Sequence, residues 1–86
     1  MSVIADVQTI KNNVKDYIFK STSIDKEKLK DETLIFKEGY FDSMGFVMLI
    51  TFLEEKFGVK TVDADLIEEN FESINAITDF ITRKLH

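Results

Sequence analysis

GYFDSMGFVMLITFLEEKF, residues 39–57, sets an acidic residue and a serine directly ahead of a long apolar segment. Asp42 and Ser43 are both residue types preferred at helix N-caps, because their side-chain oxygens accept hydrogen bonds from backbone N–H groups of the first turn. Beyond them there is no proline, Gly45 is the one glycine, and Leu49, Ile50, Leu53 and Phe57 recur at the spacing of one helical face. The spacing predicts a helix that begins near Ser43 and stops before Gly58, since glycine commonly takes the position just past a helix end. At about 100° per residue, Phe46 joins those four on the core side. Met44 and Met48 fall roughly opposite, beside Thr51 and Glu55, with Val47 and Phe52 on the flanks. The helix thus carries a second, smaller apolar patch. Exposed methionines suit an adaptable contact surface; the alternative is that Met44 and Met48 pack beneath a loop formed by residues 34–41.

A serine at a helix N-terminus sits beside backbone N–H groups that have no intrahelical partner, at the positive end of the helix dipole. Such a place suits a phosphate bonded to the serine oxygen. It equally suits a serine that only caps the helix, and Asp-Ser alone does not separate the two.

The wider pattern does more. D-S-M at 42–44, with G-x-F before it and V-x-L-I-x-x-L-E-E-x-F after it, resembles the acyl carrier protein family, as does N-F-E-S-I-N-A-I-x-x-F-I at 70–81. The resemblance covers roughly residues 34–85, and the first helix by pattern only. It implies an all-α four-helix bundle, three longer helices and one short one, with a long loop between the first and second. It also implies that Ser43 carries 4′-phosphopantetheine, placed there from coenzyme A by a phosphopantetheinyl transferase. Asp42 would cap the helix, orient Ser43 and assist metal-dependent transfer within the partner's site. The expected partners are that transferase, an acyl- or aminoacyl-loading ligase, and a downstream transferase or synthase. Met44, Met48, Glu55 and Glu68 form the expected docking face. In fatty-acid-type members the exposed side of this helix is mostly acidic and meets basic grooves on partner enzymes. This chain keeps Glu54 and Glu55 but has Gly45 and Met48 where acids are common, which points to a specialised stand-alone member with its own partners.

Composition bounds the alternatives. Eighty-six residues make one small domain, 1–86, with a marginal but adequate core. There is no cysteine, hence no disulfide and no thiolate nucleophile or metal ligand, which fits a reducing, cytoplasmic setting. No basic region followed by an apolar run marks a signal peptide, and no apolar stretch approaches a membrane span. The net charge of −5 is uneven: residues 1–37 carry +1, residues 38–79 carry −8, and residues 80–86 carry +2. An acidic surface around Ser43 repels nucleic acid and anionic membranes and steers basic partners, though charge of this kind also simply keeps a small domain soluble. The expectation is a monomer that binds neither nucleic acid nor membrane.

The rest of the chain reads as scaffold. Ser2 is placed to cap a first helix with Asp6 in its early turns, and Val3, Val7, Ile10, Val14, Tyr17 and Ile18 line one face as far as about Lys20. Residues 21–42 form a long connection in which Asp25 caps a short turn and Leu29, Leu34, Ile35 and Phe41 pin the loop to the bundle, with Gly39 supplying the bend. Asp65 and Glu68 look like a cap pair opening a short helix through Asn70. Acids at 63, 65, 68 and 69 invite a calcium reading, but an EF-hand loop needs glycine where Glu68 stands. Ser73 caps a last helix with Ile74, Ile77, Phe80 and Ile81 inward, and Arg83 and Lys84 near its end complement the dipole.

Catalysis by the chain itself is not expected. The single histidine is His86, the last residue, and no Ser-His-Asp or Cys-His set can be assembled. Two functional classes stand. One is a carrier holding acyl or aminoacyl groups as thioesters on an arm at Ser43. The other is an acidic helical interaction module with Ser43 only as a helix cap. With eight phenylalanines available, Phe46 and Phe52 among them, the core is expected to be filled and the cargo short or polar.

Overall fold

The computed structural model describes residues 6–22, 24–25 and 27–85. Among them are four α-helices and no strand: α1 (Val7–Ser21), α2 (Ser43–Phe57), a short α3 (Glu68–Phe71) and α4 (Ile74–Leu85), with a 3-10 turn at Asp63–Asp65 ahead of α3. This is the all-α arrangement of three longer helices and one short one, with the long loop between α1 and α2. The Cα radius of gyration, 12.1 Å, matches the about 12 Å of a well-packed chain of this length.

α1 buries Ile10, Val14 and Ile18 along one stripe, with Tyr17 packed at its edge. Its cap is Asp6, whose carboxylate accepts from the Gln8 N–H at 3.3 Å and the Thr9 hydroxyl at 3.1 Å. Asp6 therefore closes the helix from outside rather than lying in its early turns, and Val7, the first helical residue, is exposed rather than inward. Ser2, Val3 and His86 lie outside the described residues.

α4 lies against α1 and α3 and buries Ile74, Ile77, Thr78, Phe80 and Ile81. Its first-turn donors are met from two sides: the Ser73 hydroxyl accepts from the Ala76 N–H at 3.1 Å, and the Asp31 carbonyl accepts from the Asn75 N–H at 2.9 Å. α2 joins α1 through Tyr17 and Phe52, whose rings stack at 4.1 Å and 12°.

The α1–α2 connection is pinned by both apolar burial and hydrogen bonds. Ile24, Leu29, Ile35 and Phe41 are buried, whereas Leu34 is only half-buried. The Ile35 N–H donates to the Glu72 carbonyl at 3.0 Å, and the Ile35 carbonyl accepts from Tyr40 at 2.9 Å and Phe41 at 3.0 Å. The early turn is closed by the Asp25 backbone carbonyl, which accepts from the Lys28 N–H at 2.9 Å. The Asp31 carboxylate receives Lys11 at 3.2 Å and Lys15 at 3.4 Å, so α1 holds this loop too. Gly39 has φ 85° and Gly58 φ 70°, left-handed values that other residues adopt at a cost; they bend the loop into Phe41 and end α2.

The α2–α4 segment departs from expectation in one respect. Asp65 does not cap α3. Its carboxylate accepts from the Val62 N–H at 3.0 Å and from Lys84 at 2.6 Å, closing the 3-10 turn and fastening it to α4. α3 starts after Ile67 with no side-chain cap. The partner that claims Asp65 is nineteen residues away, where a local capping pattern has no view of it.

Candidate functional site: the head of α2

At the α2 N-terminus Asp42 takes the cap, as the family resemblance implies and residue type alone leaves open. Asp42 is the N-cap: its Oδ1 accepts from the Gly45 N–H at 2.9 Å and its carbonyl from the Phe46 N–H at 2.9 Å. Ser43 is the first helical residue, is exposed, and makes no side-chain hydrogen bond to another described residue. The interaction-module reading, in which Ser43 is only a helix cap, is corrected on this point, because the cap is Asp42. The helix itself offers no acceptor to the N–H groups of Ser43 and Met44. An exposed hydroxyl, unpaired donors and a dipole's positive end thus meet at one place.

Two open grooves flank it. One, of ≈ 530 Å³, is lined by Phe36, Phe41, Asp42, Ser43, Phe46, Val47 and Glu68. The other, of ≈ 460 Å³, includes Tyr17, Ser21, Tyr40, Asp42, Met44 and Met48 in its walls. Ser43, Asp42 and Glu68 therefore share the first groove, and Asp42, Met44 and Met48 the second. Glu55 is exposed on the same helix but lines neither.

The outer side of α2 is apolar. Met44 is 67% exposed and Val47 and Met48 are each 58% exposed, so the methionines border the loop without being covered by it. Val47 belongs to this surface more fully than its flank position indicated. Glu54 turns elsewhere: its Oε2 accepts from the Thr61 hydroxyl at 2.7 Å and the Thr61 N–H at 3.0 Å, and these bonds hold its carboxyl below the ordinary range. It anchors the turn after α2 and leaves Glu55 as the exposed acid of the pair. Between the helices Val62, Leu66 and Ile67 add further exposed apolar area, which no spacing rule singled out.

The Gly45 position has a steric reason. A Cβ there would lie 3.2 Å from Cδ2 and 3.3 Å from Cγ of Phe41, whose ring forms part of the first groove. An acid at this place would press on that ring. Among the described residues no group of three His, Asp or Glu converges as a metal site, and no helix is long and apolar enough to cross a membrane.

No family model matches the chain. It is similar to the acyl carrier protein of Thermotoga maritima, 30% identical over 82 residues, which is 95% of this chain and 99% of the relative. It is 33% identical over 76 residues to the acyl carrier protein of Thermosynechococcus vestitus, covering 88% and 91% of the two chains. It is 31% identical over 70 residues to the D-alanyl carrier protein of Lacticaseibacillus casei, covering 81% and 86%. With an all-helical fold, a serine opening the second helix and relatives matched over nearly their whole length, this chain belongs to the acyl carrier protein family.

Proposed function

We propose that the chain is a non-catalytic carrier whose attachment point is Ser43. The observation that carries the reading is the division of labour at the head of α2. Asp42 supplies the cap, so the Ser43 hydroxyl is not consumed by the fold and stands exposed between two grooves.

These residues fit a 4′-phosphopantetheine tether. A phosphoester on Ser43 Oγ would lie at the positive end of α2, next to N–H groups that the helix does not use. In its attachment Ser43 Oγ is the nucleophile, its proton passes to a base of the phosphopantetheinyl transferase, and the remainder of coenzyme A leaves. Asp42 holds the helix start in register and fixes the direction in which Ser43 points. When bound, the arm supplies a thiol that carries acyl or aminoacyl cargo as a thioester, while the protein supplies position and recognition.

Met44, Val47, Met48, Glu55 and Glu68 form the face offered to partners: the transferase, a loading ligase and a downstream transferase or synthase. Its centre is apolar with acids at the rim, which supports a specialised member serving dedicated partners. The likeness to D-alanyl as well as acyl carriers keeps both cargo classes within this reading. The expected setting is a cytoplasmic monomer, where coenzyme A is at hand.

Intact-mass measurement tests the proposal. Incubated with coenzyme A, magnesium and a broad-specificity transferase, the chain gains one phosphopantetheine mass and Ser43→Ala gains none. A wild-type chain left unmodified by several transferases refutes the reading and leaves an acidic helical interaction module.

A further inference from the structure

Five phenylalanines form one continuous chain of edge contacts from the groove beside Ser43 into the middle of the bundle. Phe41 meets Phe36 at 5.7 Å between ring centroids, Phe36 meets Phe46 at 5.5 Å, Phe46 meets Phe71 at 5.4 Å, and Phe71 meets Phe80 at 4.9 Å. The outer three rings are the aromatic lining of the groove that contains Ser43 and Glu68. The inner two are buried, Phe71 completely. Phe46 is the link between outer and inner rings. It stands three residues after Ser43, on the same side of α2.

Each pair of rings meets in a T-shaped arrangement, at separations in the preferred contact range. Such contacts leave no slot for a methylene chain between them, and a close-packed interior opens only when a side chain moves aside. On this side of α2, Phe46 stands between the groove at Ser43 and the buried Phe71 ring.

We infer that Phe46 sets the length limit for cargo. A short group attached through Ser43 rests on the open floor made by Phe36, Phe41 and Phe46, and a long alkyl chain gains no entry to the bundle. The inference rests on Ser43 as the attachment point and narrows the substrate class to short acyl or aminoacyl groups, held where partner enzymes can reach them.

The test avoids the transferase. Because the chain has no cysteine, Ser43→Cys provides a single thiol. It is coupled in turn to ethyl, octyl and dodecyl methanethiosulfonate, and ring resonances are followed by NMR. The expected result is that shifts are confined to the groove, that the Phe71 and Phe80 rings are unmoved, and that the pattern is the same for all three chains. Adding Phe46→Ala, or the milder Phe46→Leu should the alanine variant not fold, is expected to make Phe71 and Phe80 shift with octyl and more with dodecyl. Inner-ring shifts that grow with chain length while Phe46 is intact overturn the inference. So does a folded Phe46 variant in which dodecyl leaves the inner rings unmoved. Failure of the carrier reading would appear separately, as absence of mass gain with every transferase.

Discussion

The Asp42 carboxylate accepts the Gly45 N–H at 2.9 Å across the first turn of α2, and that single bond frees Ser43 from capping. Asp42→Ala is expected to cost about 1 kcal/mol, the usual loss for an N-cap. It should also slow modification of Ser43, because the serine becomes the next candidate to turn back onto the helix N–H groups. Asp42→Asn keeps the cap and should restore stability. If the carboxylate also assists transfer within the transferase, Asn restores stability but not rate. Urea denaturation together with the rate of intact-mass gain separates these outcomes, and equal rates in all three chains would show that capping and presentation are unconnected.

Gly45 lies against the Phe41 ring, which limits what can replace it. In an exposed helix, glycine to alanine gains up to about 1 kcal/mol. Here the new Cβ meets the Phe41 ring at 3.2 Å, and that ring is itself held at 5.7 Å by Phe36. Gly45→Ala is therefore expected to gain less than half of that amount, and Gly45→Asp to be destabilising. Both should displace the Phe41 ring resonances. A full gain with unmoved Phe41 signals would mean that the groove wall is softer than its packing indicates.

Met48 tests the apolar centre of the docking face. Met48→Glu places an acid where fatty-acid-type carriers commonly have one, at a position that is 58% exposed. Stability should change by less than about 0.5 kcal/mol, as for most surface changes. The kcat/KM of a transferase with a basic carrier groove should rise about two- to fivefold at low salt, the worth of one exposed ion pair. The gain should fade as salt is raised. A decrease would mean that Met48 itself makes the contact in that enzyme's site.

What the sequence disclosed was local. The bounds of α2, the left-handed turns at Gly39 and Gly58, and the Ser73 cap each depend on a few neighbouring residues, so spacing and residue type sufficed. Val7 escaped because the apolar spacing runs on to the first residue of α1, where the side chain is left exposed. Asp65 escaped because Lys84 and the Val62 N–H compete for it, and Glu54 because Thr61 lies beyond the end of its helix. The candidate site divides the same way. Ser43 and Asp42 were visible as a pair, and the resemblance gave the cap to Asp42; residue type alone did not, because which of them caps the helix is a matter of backbone direction. Phe36 and Phe41 became groove walls only through the fold of the long loop.

Three carboxylates give the fold an acid limit. Burial raises the Asp31 carboxyl, but hydrogen bonds and charge from Lys11 and Lys15 outweigh it and leave it lowered. The Lys84 hydrogen bond lowers Asp65, and the Thr61 backbone bond lowers Glu54. A lowered folded-state carboxyl contributes stability that is complete above the ordinary carboxylate range and disappears as pH falls through the folded value. The urea midpoint should accordingly be flat near neutrality and fall as the pH drops through and below the ordinary carboxylate range. Asp65→Asn should lower the midpoint at pH 7 and make the acid limb shallower, approaching wild type at the acid end. A variant curve parallel to wild type at every pH would exclude Asp65 as a source of the acid limb.

Thr78 is the buried residue whose chemistry the fold does not use. It is 2% exposed on the inner face of α4, and among the described residues its hydroxyl has no hydrogen-bond partner. A hydroxyl taken out of water without a partner costs roughly 1–3 kcal/mol relative to an apolar group of the same shape. Valine replaces that hydroxyl with a methyl at nearly the same volume, and α4 tolerates a β-branched residue here because threonine already is one. Thr78→Val is therefore expected to stabilise the chain by about 1 kcal/mol, which for a domain of this size raises Tm by roughly 4–8 °C. Modification at Ser43 should be unaffected, since Thr78 lines neither groove at the head of α2. A fall in Tm would mean that the hydroxyl is satisfied in solution, by a buried water or by the carbonyl of the preceding helical turn.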